Sequence, residues 1–277
     1  MGLIALATGQ SKIPATIIIL ARSVASIRPV NPDATNVKRK KGGGKVKVDT
    51  GVFERSGRDT LSERVFYLIL GSLLIYGLGG TAIVAYYTAL SSYTPSIGAI
   101  LVLGLAIPIA GIIISVKSDN PLVSFVGYNM VLLPFGVIMS PLAYSFVPEA
   151  GSTIAGLYSP EIIFRAFGLT CCITGIMTVL ALSHPDWFKN LGGVLFIALT
   201  VLLMAVIARI FIPALREFGI IDWAGAVIFT LYIGVDMYRA STVPKTLDNA
   251  VDIAISLYLD LINLFLFILR ILNNNND

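Results

Sequence analysis

From residue 65 onward the chain is a succession of long apolar runs separated by short polar breaks. A helix crossing the hydrocarbon core of a bilayer needs about 20 mostly apolar residues. Seven stretches meet that length: roughly 65–90, 97–116, 122–147, 161–183, 190–213, 221–238 and 250–272. Inside lipid every backbone polar group must be satisfied by the protein, which leaves helices or a closed barrel. Barrel strands are about ten residues long and alternate in polarity. The runs here are about twice that length and do not alternate. Only 13% of the 277 residues are charged and 56% are hydrophobic, against about 25% charged in soluble domains. The expected fold is an all-α integral membrane bundle of seven transmembrane helices. Small faces at Gly77, Gly79 and Gly80, Gly104 and Gly111, and Gly168 and Gly175 suit close helix packing.

Charge divides the chain into three parts. Residues 1–64 hold twelve Lys and Arg against five Asp and Glu, and the remainder holds eight against eleven. We read residues 1–60 as a basic, largely disordered arm, 61–273 as the membrane domain and 274–277 as a polar tail. The segment Lys38–Lys47 is Gly-broken and has no apolar face. It suits a topology signal or an anionic-lipid contact. No aromatics interleave with its lysines, so no nucleic acid partner is expected. Positive-inside bias places the N-terminus in the cytoplasm. The start of the chain has no secretory signal pattern, which favours a prokaryotic inner membrane. A mitochondrial inner membrane or the endoplasmic reticulum is the alternative.

The chemistry-bearing residues are few. His184 is the only histidine, and Cys171 and Cys172 are adjacent in the fourth span. Neighbours on a helix point about 100° apart, so no local disulfide is expected. No phosphate-binding loop, nucleophile elbow or zinc-protease motif appears, and an enzyme is not expected. A retinal-type receptor would need a lysine in the last span, and residues 250–272 contain none.

The informative group is Asp260, near the centre of the last span. A carboxylate at that depth costs roughly 2.5–3.5 kcal/mol even on mild scales, which marks it as functional by default. At 100° per residue, Asp252, Ser256, Asp260, Asn263 and Arg270 fall within an arc of about 80°. This polar stripe must face the bundle interior, either as a hydrogen-bonded seam or as a site. A second acid, Asp236, lies near the inner end of the sixth span. It is placed to pair with Arg239 or to approach Asp260 through the antiparallel hairpin. Lys117, at the inner end of the second span, suits either a latch to Asp236 or an interfacial anchor. Two carboxylates in a low-dielectric site titrate as a coupled unit and offer hard oxygen ligands to Ca²⁺. Elsewhere, Glu161 and Arg165 suit a local ion pair. Arg209 is placed to snorkel or to meet Glu161, Glu217 or Asp222, and Arg270 closes the stripe on the outer side.

The run Leu257-Tyr258-Leu259-Asp260-Leu261-Ile262-Asn263-Leu264-Phe265, followed by Leu269-Arg270-Ile271-Leu272, resembles the closing signature of the Bax-inhibitor family. These are the transmembrane Bax inhibitor motif proteins, with YccA- and YetJ-like bacterial members. Leu231-Tyr232-Ile233-Gly234-Val235-Asp236 resembles the family's sixth helix. Phe135-Gly136 to Ser140-Pro141 and Ala166–Thr170 resemble further family positions. The resemblance covers about residues 60–272. It implies a seven-helix fold with the last helix central. It also implies a di-aspartyl pH sensor, here Asp236 and Asp260, gating a Ca²⁺ leak. Some members are instead tied to cell-death control or to a membrane-anchored AAA protease. The chain departs from the pattern in lacking an acid within residues 97–116, and in having Lys117 where some members place a latching arginine. Arg165 and Arg209 also stand where arginine is not expected.

Overall fold

A computed structural model describes residues 60–91, 93, 95–118, 120–147, 158–212, 215 and 219–274. The basic arm and most of the polar tail lie outside these residues. Seven of the described helices are long and apolar enough to cross a membrane. They are α1 (Glu63–Leu90), α2 (Gly98–Lys117), α3 (Pro121–Ala143), α4 (Pro160–Ser183), α5 (Leu191–Phe211), α6 (Ile220–Thr242) and α7 (Leu247–Asn274).

Local chemistry sets the helix boundaries. Ser62, Asn120 and Ser159 accept hydrogen bonds from first-turn N–H groups of α1, α3 and α4, satisfying donors that a helix start leaves open. Pro121 and Pro160 occupy the first position of α3 and α4, where a missing N–H costs nothing. Within α2, Pro108 cannot donate to the carbonyl four residues back, and the helix widens to a π turn over Val102–Ala106 just before it. Two of the boundaries that differ from the sequence expectation have clear local causes. α6 runs on to Thr242, because the chain meets no breaker before Pro244, which forces Val243 to be extended. α7 begins at Leu247, because Thr246 Oγ1 accepts from Asn249 N at 3.2 Å and its carbonyl accepts from Ala250 N.

α6 and α7 form a tight hairpin. α7 also packs against α1, α3 and α4, while α2 pairs with α3 and α5 with α6. In α7, 89% of the apolar centre is buried, against 22% in α1, α4 and α5. α7 is therefore the most enclosed span. The outer helices turn residues such as Leu68, Ile75 and Phe211 outward, at 70%, 76% and 76% exposure, the surface a bilayer would cover.

Close crossings depend on particular glycines. A Cβ on Gly111 would lie 2.5 Å from the carbonyl oxygen of Gly127, and one on Gly127 would collide with the carbonyl of Gly111. The α2 and α3 backbones thus touch directly. Gly136 admits Val84 of α1, and Gly77 admits Tyr128 of α3. Gly79, Gly168 and Gly175, expected in close contacts, face open space instead. The end of the bundle where α1 begins is tied by Lys245. Its ammonium donates to the carbonyls of Ala240, Ser241 and Val243 at 2.6, 2.8 and 3.3 Å and lies 5.2 Å from the Phe66 ring centre.

Candidate functional site

α7 supplies more of the buried polar and charged side chains than any other described helix. Asp260 and Asn263 are fully enclosed, and Ser256, Asp252 and Arg270 are 3%, 6% and 7% exposed. Asp236 of α6 is 3% exposed. Asp236 and Asp260 thus stand on two helices packed against one another, both out of solvent, and neither is without a partner. Asn263 Nδ2 donates to the Leu259 carbonyl at 2.7 Å, while its Oδ1 is buried without a hydrogen-bond partner among the described residues. Below Asp260, Tyr258 shares a 2.6 Å hydrogen bond with Thr81 of α1.

At the N-terminal end of α7, two serines from neighbouring helices hold two carboxylates. Ser115 Oγ of α2 donates to Asp252 Oδ1 at 2.6 Å, and Ser124 Oγ of α3 donates to Asp248 Oδ1 at 2.5 Å. Arg239 of α6 lines the same small crevice as Ser115, Asp252 and Ser256. Lys117 is exposed. The residue that reaches α7 from the end of α2 is therefore Ser115, two positions before the lysine.

Asp248 is an addition to the polar stripe expected from sequence. It lies one turn before Asp252, so extending the stripe by four residues would have found it. Nothing in the sequence singles out Ser115 or Ser124, because a serine within an apolar run carries no directional signal.

The other end of α7 carries opposite chemistry. Arg209 grips Asp222 with a fork, Nη1 to Oδ1 at 2.8 Å and Nη2 to Oδ2 at 3.0 Å, and its Nε donates to the Leu215 carbonyl. Arg270 Nη1 lies 3.3 Å from the same Asp222 Oδ1. The Arg270 guanidinium sits 4.6 Å from the Phe267 ring centre, and its terminal nitrogens make no hydrogen bond among the described residues. Of the partners expected for Arg209, Asp222 is met among the described residues, and Glu217 lies outside them. Glu161 pairs with Arg165 on the exposed face of α4, at 2.5 Å.

Among the described residues no three His, Cys, Asp or Glu side chains converge as a metal site. An apolar cavity of about 620 Å³ lies between α1, α3, α4 and α7. It is separate from the carboxylates, although Leu261 and Ile262 beside Asp260 form part of its wall.

Seven membrane-length helices, with buried carboxylates concentrated on the last of them, define an integral membrane protein with a polar interior seam. The family model described as "Inhibitor of apoptosis-promoting Bax1" matches residues 61–277, and the chain belongs to that Bax inhibitor family. It is 33% identical over 142 residues to an uncharacterized protein of Helicobacter pylori, covering 51% of this chain and 57% of that one. It is 28% identical over 163 residues to Bax inhibitor 1 of Schizosaccharomyces pombe, covering 52% and 59%. It is 29% identical over 167 residues to Protein LIFEGUARD 3 of Arabidopsis thaliana, covering 52% and 66%. The chain spans less than two thirds of the length of these curated relatives.

Proposed function

We propose that the protein is a pH-sensitive cation leak pathway, with Ca²⁺ as its cargo and Asp236 and Asp260 as the titrating groups. The observation that carries this reading is the burial of both carboxylates on the packed pair α6 and α7. Two acids in a low-dielectric interior cannot both ionise cheaply, so protons and a divalent cation compete for the same oxygens. Protonation would discharge the pair and lower its affinity for a cation. Asp248 and Asp252 supply further carboxylate oxygens toward the N-terminal end of α7. The membrane in which this operates is, on the same reading, the prokaryotic inner membrane, with the N-terminus cytoplasmic.

The test is Ca²⁺ flux through purified protein in proteoliposomes across pH about 5–8, beside Asp260→Asn and Asp236→Asn. The expected result is a pH-dependent flux whose profile flattens or shifts in each variant. A flux with the same profile in both would remove the mechanism. A second reading, a regulator of a cell-death partner or a membrane-anchored AAA protease, draws on relatives named "Bax inhibitor 1" and "Golgi anti-apoptotic protein". It predicts partner capture that survives loss of both acids, with no flux in correctly inserted wild-type protein.

A further inference from the structure

We propose that the cavity between α1, α3, α4 and α7 is a binding site for one acyl chain of a membrane lipid, entered sideways from the bilayer. Its volume is about 620 Å³, and among the described residues its walls are helix faces, with Phe146 in the turn after α3. On α4 the lining positions run from Ile163 to Gly175 at helical spacing. That interval is twelve residues, about 18 Å of helix. One leaflet of hydrocarbon is about 15 Å deep, half of the roughly 30 Å core. The groove therefore has the length and direction of a lipid tail lying along a helix. At its lip, Ala82, Phe167, Cys171 and Gly175 are exposed, so the opening faces outward from the bundle.

The lining selects hydrocarbon over a polar ligand. Its threonine hydroxyls are already spent. Thr170 and Thr174 donate to the carbonyls of Ala166 and Thr170, and Thr81 bonds to Gly77 O and to Tyr258. Among the described residues no charged side chain lines the groove. Width comes from small residues: Gly175, where an added Cβ would meet nothing within 4 Å, and Ala82, Ala85 and Ala143. The inner wall is Leu261, Ile262 and Phe265 of α7, directly after Asp260. A chain in the groove would press on α7 beside its central carboxylate, so occupancy braces the helix that carries the polar stripe.

The experiment is native mass spectrometry of the detergent-purified full chain titrated with phosphatidylglycerol, beside Gly175→Phe and Cys171→Phe, which fill the groove. Leu169→Phe, on the exposed face of α4 outside the lining, is the control. The wild type and the control should retain one saturable lipid, and occupancy at a given lipid concentration should fall at least tenfold in both filled variants. A ladder of adducts with no favoured first lipid in the wild type would overturn the site. So would an unchanged first adduct in folded Gly175→Phe or Cys171→Phe. Thermal unfolding supplies a second readout on the wild type alone. Lipid should raise its Tm, and a Tm indifferent to lipid counts against the site whether or not the variants fold.

Discussion

Replacing Asp222 by Asn should be among the most damaging single-atom changes in this protein. The carboxylate accepts both arms of the Arg209 fork, at 2.8 and 3.0 Å, and stands 3.3 Å from Arg270. The Arg209 and Asp222 side chains are only 2% and 3% exposed. Asparagine keeps the shape but removes the charge, and it turns an NH₂ group toward a guanidinium that can only donate. One of the two bonds is lost and the other becomes ion–dipole. Hydrogen bonds to charged groups contribute about 1.5–3 kcal/mol each, and breaking a buried pair from one side costs about 3–5 kcal/mol. For a domain of this size that converts to a fall in Tm of roughly 6–20 °C. Glu161→Gln provides the calibration. The same kind of pair, Arg165 with Glu161, has side chains 60% and 71% exposed. Solvent screening holds its contribution to about 0–1 kcal/mol. Thermal unfolding of wild type, Asp222→Asn and Glu161→Gln in one detergent reads both. If Asp222→Asn falls no further than Glu161→Gln, the reasoning from burial is wrong.

Two further outcomes follow from single contacts. Gly127→Ala drives a Cβ into the carbonyl of Gly111, backbone against backbone, and should destabilise by about 1–3 kcal/mol as overpacking. Gly168→Ala meets nothing within 4 Å and should be neutral or slightly stabilising, so equal denaturation profiles for the two would refute the packing account. Lys245, in the turn between α6 and α7, has its pKa lowered from 10.5 by burial, with Glu63 opposing the shift. Over the alkaline range up to 10.5 the unfolded chain then holds more protons than the folded one. Stability contributed by this group must therefore rise with pH there. Lys245→Met should remove that rise, which a pH series of unfolding midpoints would show as a flatter slope.

Much of this architecture could be read from residue order, and the limits have physical causes. The seven spans fall within a few residues of their expected places, because apolar length is a direct demand of the bilayer. α7 starts three residues before its expected place, because hydropathy cannot see a threonine cap. That shift hid Asp248, whose polarity places it outside an apolar window although it belongs to the first turn. The glycines divided the same way. Gly111 packs as expected, but its counterpart Gly127 becomes visible only once the crossing point of α2 and α3 is known. Arg209 had several acids open to it, and only the fold decides among them. Sequence periodicity assigns a residue to a face. It does not say which neighbouring helix brings the partner.

The two ends of α7 solve the problem of buried charge in different ways. Near its N-terminus, Asp248 and Asp252 are met from α2 and α3 by serine hydroxyls. A hydroxyl donor fixes a carboxylate oxygen by geometry, and Arg239 lines the crevice beside Asp252. Near its C-terminus, two guanidinium groups converge on the single carboxylate of Asp222, an arrangement that immobilises through Coulomb attraction as well as geometry. An arginine in place of Ser115 would hold α2 to α7 more firmly and would also compete for the oxygens. On the proposed reading, the end of α7 clamped by two arginines is the fixed point against which α7 would move.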